Sequence, residues 1–294
     1  MGKEVRFGVM TVQNLPWEKE VERWKLIESL EFDSVWLADH YTDPVFPTGH
    51  WFESWTLLAS LAVVTERIRI GTLVSSIPLR RPAVLARQAL TVDHISNGRL
   101  ELGLGTGTGR DPVHNMLGLE DWIGSERVER FKEQIEVIDQ LLRHEVTSYD
   151  GKFYKLHEAT MNPKTIQKPR PPLVIAAMGN SMLKIAAKYA DTWNSFGTED
   201  WRAPKEMILE NTKTRVELID KYCIEIGRNP ETLRHSLLFY SKYGRTILDS
   251  EEKFRNIINQ YRDIGIDEFI LYYPFFDSEQ IENITKIAQD AIPD

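Results

Sequence analysis

Residues 68–105 read IRIGTLVSSIPLRRPAVLARQALTVDHISNGRLELGLG, and this stretch predicts the fold of the chain. It begins with a short run rich in β-branched residues, Ile68–Val74, and ends with a second apolar run, Leu100–Gly105. Between them, Pro82–Ile95 has the apolar spacing of a helix, with a proline at its first turn. A strand, a helix and a second strand in this order predict a βαβ unit with parallel strands.

The same alternation extends along the chain in both directions. We predict eight strands: Val5–Thr11, Ser34–Asp39, Ile68–Val74, Leu100–Gly105, Leu173–Ala177, Thr192–Phe196, His235–Tyr240 and Glu268–Tyr272. We predict eight helices: Trp17–Leu30, Ser54–Thr65, Pro82–Ile95, Ser125–Leu142, Ser181–Tyr189, Ala203–Ile226, Glu251–Ile264 and Ser278–Ala291. Eight strand-then-helix units in 294 residues favour an α/β fold of the (β/α)8 TIM-barrel type over an open doubly wound sheet.

Two stretches after the fourth predicted strand do not fit the repeat. They are Thr106–Gly124, which is rich in Gly, Asp and Trp, and Glu145–Pro172, in which Tyr149–Lys152 contains the Asp-Gly pair of a hairpin turn. They flank one predicted helix, so we interpret them as insertions on the barrel. No linker composition or internal repeat divides the chain, and residues 1–294 are therefore expected to form a single domain.

Composition excludes several classes of protein. The 36 Lys and Arg against 44 Asp and Glu give a net charge of −8, which argues against nucleic-acid binding through bulk charge. The single cysteine, Cys223, can form neither an internal disulfide nor a cysteine-based metal cluster, which suits a reducing cytoplasm. Apolar runs are too short for a signal peptide or a membrane span. We expect a cytoplasmic protein that binds neither nucleic acid nor membrane.

The end of the second predicted strand carries the sharpest chemical signal, the pair Asp39–His40. In a TIM barrel the reactive groups follow the C-terminal ends of the strands. An imidazole exchanges protons near neutral pH, and an adjacent carboxylate can orient its surroundings. We predict that His40 and Asp39 are catalytic, and the alternative is a histidine held by a structural hydrogen bond.

Two backbone segments could hold a phosphate. The run Gly103–Gly109 fails the Rossmann spacing in both frames, yet its N–H groups permit close approach of a ligand, with a flexible turn as the equal alternative. Ala177–Ser181 joins a predicted strand to a helix, whose N-terminus favours anions, and Ser181 as a plain N-cap is the alternative. H-E-x-x-H and G-x-S-x-G are absent, so no metal site or nucleophilic serine is predicted.

Longer motifs occur in order along nearly the whole chain: Phe32–His40, Glu53–Thr65, Arg67–Thr72, Arg80–Ala86, Thr91–Leu100, Gly103–Gly107, Lys168–Pro172 and Ala186–Asn194. Together they resemble the luciferase-like flavin-dependent oxidoreductases, the group that contains bacterial luciferase and the deazaflavin-dependent dehydrogenases and reductases. The resemblance implies a TIM barrel, a flavin or deazaflavin across the C-terminal mouth, and hydride transfer to or from a small organic substrate.

The resemblance also assigns residues. Asp39 and His40 match the pair beside the cofactor ring, and Leu73–Val74 matches a non-prolyl cis peptide against the back of the ring. Thr106–Gly107 and the turn after the fifth predicted strand match backbone contacts to the cofactor phosphate. The implied cofactor-binding set is Asp39, Leu73, Val74, Ser75, Thr106, Gly107, Asp111, Ala177, Met178, Gly179, Asn180 and Ser181.

Departures from the family pattern bear on the reaction. Thr108 stands where dehydrogenases of sugar phosphates carry Glu, Asp111 is the nearest carboxylate, and the usual Arg-His-Pro is Arg80–Arg81–Pro82, so sugar-phosphate oxidation is not expected. The Asp39–His40 pair favours coenzyme F420 over FMN. The alternatives are an FMN-dependent monooxygenase supplied by a separate reductase, a barrel hydrolase or lyase without a redox cofactor, and a flavin-binding protein without turnover.

Aromatic residues in the predicted loops, Trp51, Phe52 and Trp122, suggest a partly apolar substrate, with loop packing as the alternative. Two sets of helix positions rich in apolar residues are candidates for an exposed face: Trp55, Leu58, Leu61 and Ala62, and Val84, Leu85 and Gln88. Members of the family usually pair barrels through their outer helices, so we expect a homodimer. The alternative is that these faces pack only onto their own barrel.

Overall fold

The computed structural model describes residues 4–107, 111–198, 200, 202–240 and 244–272. Its strands are β1 (Arg6–Thr11), β2 (Ser34–Leu37), β3 (Arg69–Ser76), β4 (Leu100–Gly105), β5 (Val146–Asp150), β6 (Lys155–Thr160), β7 (Leu173–Ala176), β8 (Thr192–Ser195), β9 (Arg234–Phe239) and β10 (Glu268–Tyr272). Its helices are α1 (Trp17–Ser29), α2 (Ser54–Val64), α3 (Pro82–Ile95), α4 (Val113–Leu117), α5 (Gly124–Arg143), α6 (Asn180–Tyr189), α7 (Lys205–Glu225) and α8 (Glu251–Asp263). Short 3-10 helices lie at Pro230–Thr232 and Gly244–Leu248.

Eight strands form a closed barrel in the order β1-β10-β9-β8-β7-β4-β3-β2, which confirms the predicted TIM barrel. The pairing is parallel, as in β1 with β10, where Val9 lies opposite Leu271. Strands covered on both faces read as continuous apolar runs, and every residue of β4 is buried. All eight predicted strands are present within two residues of their expected bounds. The predicted helix Ser278–Ala291 lies outside the described residues.

Both predicted insertions follow β4, and α5 separates them. The second contains the predicted hairpin, in which β5 and β6 pair antiparallel. The first contains α4, a five-residue helix that the sequence analysis did not predict. The two insertions meet at Arg130 of α5, whose guanidinium lies 4.3 Å from the ring centroid of Trp122 and 4.2 Å from that of Phe153. Stacking of a guanidinium on aromatic rings stabilises this arrangement.

The described residues fall into two compact units. One takes its residues from 1–12, 23–36 and 176–294, and the ring of Phe7 lies 5.7 Å from those of both Phe254 and Phe269 in its core. The other takes its residues from 13–22 and 37–175. In this second unit Arg99 donates hydrogen bonds to the carbonyls of Ala62 and Ile68 around the end of α2. The single domain over residues 1–294 stays a prediction.

The expected exposed face on α2 is corrected by the structure. Trp55, Leu58, Leu61 and Ala62 are all buried within the chain itself, at 2% exposure or less, because this side of α2 packs inward. On α3, Leu85 is buried as well. Val84, which was among the expected positions on α3, is 58% exposed and is confirmed as an exposed apolar side chain, and Val63 and Ile95 are further ones on these helices.

No helix among the described residues is long and apolar enough to cross a membrane. Within the same residues, no three His, Cys, Asp or Glu side chains are grouped so that they could hold a metal ion. Cys223, the only cysteine of the chain, is buried in α7.

Candidate active site

His40 follows the C-terminal end of β2 and pairs with Asp111 from the first insertion. Its Nδ1 lies 2.7 Å from Oδ2 of Asp111, and the Asp111 side chain is only 9% exposed. The other carboxylate oxygen of Asp111 accepts the N–H of Val113 at 3.0 Å. Burial raises the pKa of Asp111, but the hydrogen bonds from His40 and Val113 outweigh it, and the net pKa is lowered. Asp111 is therefore a carboxylate at neutral pH.

This pairing decides which ring nitrogen of His40 is available. A carboxylate only accepts hydrogen bonds, so Nδ1 carries a hydrogen and Nε2 carries the lone pair in the neutral ring. Among the described residues no group bonds to Nε2. Trp51 holds the backbone beside it, since its Nε1 donates to the His40 carbonyl at 2.9 Å, and its ring stands edge-on at 6.5 Å between centroids. The arrangement leaves a partly exposed imidazole able to exchange a proton through Nε2.

Asp39 lies next to His40 in the chain but binds a different partner. Its side chain has no exposed surface, and Arg80 donates to both of its oxygens, through Nε at 2.9 Å and Nη2 at 2.5 Å. Arg80 also reaches Glu53 at 2.5 Å, and the Gln134 amide donates to the Arg80 carbonyl at 3.4 Å. Desolvation lowers the pKa of the Arg80 guanidinium, but the two carboxylates outweigh it and the net pKa is raised. One cation thus holds a buried carboxylate at the end of β2.

Glu53 has a second structural role that the sequence analysis missed. It is the N-cap of α2, and its carboxylate accepts the N–H groups of Trp55 and Thr56 at 3.3 and 2.7 Å. Burial raises the pKa of Glu53, but its hydrogen bonds from Thr56 and Arg80 outweigh this effect, and the net pKa is lowered. Glu is not among the residues that usually signal an N-cap, so the sequence did not indicate this role. Its link to Arg80 had no local signal, because the two residues are 27 positions apart.

The peptide bond between Leu73 and Val74 is cis, which confirms the geometry predicted for it. The pairing of β3 with β4 shifts register between Thr72 and Ser75 at this point. Ser75 is fully buried, and its hydroxyl accepts from Trp55 Nε1 at 2.9 Å and lies 3.0 Å from the Thr72 hydroxyl. The neighbouring strand has Gly103 here, where an added Cβ would stand only 1.8 Å from the Thr72 carbonyl oxygen. The cofactor contacts assigned to these residues stay predictions.

Thr106 and Gly107 follow β4 in the second unit. Gly107 has a φ of +71°, a conformation that favours glycine, and an added Cβ would lie 3.0 Å from Cβ of Ser76. Thr106 donates through Oγ1 to the Gly107 carbonyl at 3.2 Å. Residues 108–110, which include Thr108, lie outside the described residues.

Ala177–Ser181 lies in the first unit and leads into α6. Gly179, not Ser181, is the N-cap, with no side-chain hydrogen bond at the cap, and an added Cβ there would meet nothing within 4 Å. Gly179, Asn180 and Ser181 are exposed, so the first turn of α6 faces solvent within this unit. Arg215 donates to the Met178 carbonyl at 3.2 Å and to that of Gly197 at 2.6 Å, which brings a cation to the same turn. Open N–H groups at a helix N-terminus beside a guanidinium suit a phosphate.

The aromatic residues singled out in the sequence differ in their surroundings. Trp51 flanks His40, as described above, and Phe52 stacks edge-on against His50 at 4.6 Å between centroids. Trp122 packs on Arg130 between the insertions, as the packing alternative expected. Thr106–Gly107 and Ala177–Ser181 belong to different compact units, and their joint contact with one phosphate stays a prediction.

Comparison with known proteins identifies relatives along the chain. Residues 4–285 match the family described as luciferase-like monooxygenase. An F420-dependent glucose-6-phosphate dehydrogenase of Microbacterium testaceum is 34% identical over 185 residues, which are 63% of this chain and 54% of that protein. A pyrimidine monooxygenase, RutA, of Yersinia enterocolitica is 35% identical over 154 residues, which are 50% of this chain and 40% of that protein. The matched part thus spans about half the length of these curated relatives.

Solved structures share the fold. The F420-dependent tetrahydromethanopterin reductase of Methanopyrus kandleri superposes with a TM-score of 0.79 over 98% of both chains, at 18% identity. At this identity the likeness shows the barrel alone.

Proposed function

Because the chain belongs to the luciferase-like monooxygenase family, we propose that it is an oxidoreductase that transfers a hydride between a flavin or deazaflavin cofactor and a small organic substrate. The observation that carries this proposal is His40, whose Nδ1 is bound by Asp111 while Nε2 stays available. Oxidation of an alcohol, or reduction of a carbonyl group, moves one proton with each hydride. A partly exposed imidazole of fixed tautomer is suited to that proton.

Within each compact unit, one group of residues supports the proposal of such a cofactor. The open N-terminus of α6 with Arg215 beside it suits the phosphate of either FMN or F420. At the β2 and β3 ends, Leu73 and Val74 are proposed to border the ring, and the buried Asp39 and Ser75 would support them without touching it. When bound, the cofactor supplies the two-electron acceptor or donor. Asp111 orients His40, and the Arg80 guanidinium keeps the buried Asp39 carboxylate in place.

We propose coenzyme F420 as the cofactor, with FMN as the alternative. The Asp39–His40 pair and the F420-dependent relative support the first choice, whereas the pyrimidine monooxygenase supports the second. With FMN reduced by a separate reductase, the reaction would be a monooxygenation that consumes O₂. A flavin-binding protein without turnover is the remaining candidate. A cytoplasmic location and a homodimer complete the proposal.

Equilibrium binding of F420 and of FMN to the purified protein tests the choice, followed by single-turnover reduction of the bound cofactor under anaerobic conditions. We expect F420 to bind at least tenfold more tightly than FMN. Tighter binding of FMN, with one atom of O₂ incorporated into an organic product after chemical reduction, would establish the monooxygenase alternative. Binding of neither cofactor would overturn the proposed function.

A further inference from the structure

A cleft of about 270 Å³ lies at the N-terminal ends of β9 and β10, within the first compact unit. Its charged and titratable lining residues are Asp220, Glu231, His235, Arg262 and Asp267. His235 is the second residue of β9, and Asp267 directly precedes β10. Reactive groups of a TIM barrel follow the C-terminal ends of its strands. The cleft therefore lies at the end of these strands that the proposed reaction does not use.

His235 forms part of the cleft wall as a buried imidazole, with only 4% of the residue exposed. Its Nδ1 lies 3.1 Å from the carbonyl oxygen of Gly265, and its ring stands edge-on to that of Trp193 at 5.4 Å between centroids. A carbonyl oxygen only accepts hydrogen bonds, so Nδ1 carries the hydrogen of the neutral ring and Nε2 carries the lone pair. Nε2 of His235 is therefore a hydrogen-bond acceptor.

A second acceptor faces this nitrogen. Oδ1 of Asp220, on α7, lies 3.3 Å from Nε2 of His235. Both atoms are buried, and among the described residues neither has a hydrogen-bond partner of acceptable geometry. Two buried acceptors without a hydrogen between them are unfavourable, so this pair lacks a donor. A donor nitrogen about 2.9 Å from both atoms would complete a nearly equilateral triangle with hydrogen bonds of ordinary length.

The other charged side chains of the cleft indicate what else a ligand would carry. Asp267 binds Arg234 at 3.1 Å, so its charge is compensated. Glu231 and Arg262 are exposed, and no ion pair joins either of them to another described residue. The cleft thus offers the carboxylates of Asp220 and Glu231 to a cation and the guanidinium of Arg262 to an anionic group.

We propose that this cleft binds a small zwitterion that has a primary ammonium group and a carboxylate, the chemistry of an amino acid. The ammonium group donates one hydrogen to Nε2 of His235 and one to Oδ1 of Asp220, and the ligand carboxylate pairs with the guanidinium of Arg262. The Asp220 side chain is 37% exposed, so rotation of its carboxylate admits the ligand. No bond of the ligand is made or broken, and this inference does not rest on the proposed oxidoreductase activity.

Ligand-observed NMR titration of the whole protein at pH 8 tests the ligand class. The probes are methylammonium, tetramethylammonium, glycine, β-alanine and 4-aminobutanoate. We expect methylammonium to bind at least tenfold more tightly than tetramethylammonium, which has no N–H, and at least one amino acid to bind at least threefold more tightly than methylammonium. Equal binding of the two ammonium ions would show attraction of any cation and would overturn the proposal, as would a failure of all five probes to bind.

Variants locate the ammonium and carboxylate groups. Asp220→Asn places an amide N–H beside Nε2 of His235, so it should weaken methylammonium binding at least tenfold without lowering the urea midpoint. Asp263→Asn is the matched control, since Asp263 is exposed on α8 and does not line the cleft. Arg262→Gln should remove the preference for the amino acid over methylammonium. If Asp263→Asn weakens binding as much as Asp220→Asn, the probes bind elsewhere and the proposal is wrong.

The ¹⁵N signals of the His235 ring report the state of Nε2 directly, and their absence from the spectrum of His235→Gln identifies them. In the ligand-free protein at pH 8 we expect a lone pair on Nε2, and a shift of its signal as methylammonium donates to it. A ligand-free ring with hydrogens on both nitrogens would show that an imidazolium already pairs with Asp220, and the proposal would be overturned.

Discussion

His40 and Asp111 are 71 residues apart in the chain, yet Nδ1 of the first lies 2.7 Å from Oδ2 of the second. Asp111 belongs to an insertion, whereas His40 lies three residues after the end of strand β2. The acid–base group is therefore oriented by a segment that the repeating barrel does not require. Exchange of that insertion between relatives would change the environment of His40 without altering the barrel strands.

The first prediction concerns His40. His40→Ala should lower kcat about 10²- to 10⁴-fold, because a positioned acid or base contributes that much, while the dissociation constant of the cofactor changes by less than about threefold. Steady-state kinetics and cofactor titration measure the two effects. His157→Ala, which alters a side chain that is 91% exposed, is the matched control and should keep full activity. An unchanged kcat in His40→Ala would exclude the acid–base role.

The second prediction concerns Arg80. Arg80→Met leaves the fully buried Asp39 carboxylate without its cation, and removal of one partner of a buried pair costs about 3–5 kcal/mol. Urea unfolding should show a loss in this range, and Asp39→Asn in the same chain should recover part of it. Arg255→Met, which breaks a pair with both side chains about half exposed, should change stability by less than about 1 kcal/mol. Equal effects of the two arginine variants would contradict the buried pair.

The third prediction concerns Gly179 at the N-cap of α6. An added Cβ meets nothing within 4 Å, so Gly179→Val should leave the unfolding transition nearly unchanged. The same side chain would fill the space in front of the open N–H groups and should weaken cofactor binding at least tenfold. Fluorescence titration measures the dissociation constant of the cofactor. Equal dissociation constants for the variant and the parent would place the cofactor phosphate elsewhere.

The fourth prediction concerns pH and Asp139, which Arg170 and Arg143 contact at 2.6 and 2.8 Å. Burial raises its pKa, but the two arginines outweigh this, and the net pKa is lowered in the folded chain. A carboxyl with a lowered folded pKa stabilises the protein above its unfolded pKa, about 3.9, and loses this contribution as pH falls through the folded pKa.

Asp139→Asn should therefore cost about 1–3 kcal/mol at pH 7, and the difference from the parent should decrease below about pH 4. Urea unfolding at a series of pH values provides the measurement. A difference in the free energy of unfolding that grows as pH falls would show that the pKa of Asp139 is not lowered in the folded chain.

The fifth prediction concerns assembly. Light scattering at micromolar concentration should give a mass near twice the 34.1 kDa of the chain. Val63 and Val84, which are 72% and 58% exposed on α2 and α3, are the candidate contacts, and Val84→Asp should shift the mass toward that of one chain. A parent protein that already has the mass of one chain would rule out the homodimer.

Local pattern was sufficient for most of the fold. The apolar runs, Pro82 and the Asp-Gly turn placed strands, helices and the hairpin within two residues, because those signals lie within each element. The five-residue α4 was missed because it is shorter than two turns and has little apolar period. The cis bond at Leu73–Val74 was predicted only through the family resemblance, since nothing in those two residues favours it.

The candidate site was less predictable because its contacts join distant positions. Adjacency in the chain suggested that Asp39 serves His40, whereas in space Arg80 binds Asp39 and Asp111 binds His40. Asp111 was expected to contact the cofactor, and its bond to His40 had no signal in the sequence. Ser181 was weighed as an N-cap, but α6 begins one residue earlier, and Gly179 occupies the cap.

Arg130 stacks between Trp122 and Phe153, one ring from each insertion. For protein engineering this makes the two insertions a single cassette. A graft that replaces only residues 106–124 removes Trp122 and leaves Arg130 stacked on Phe153 alone. A graft that replaces only residues 145–172 removes Phe153 and leaves Arg130 stacked on Trp122 alone. Transplanting both insertions together with α5 carries the stack intact, and libraries aimed at new substrates should recombine the three pieces as one unit.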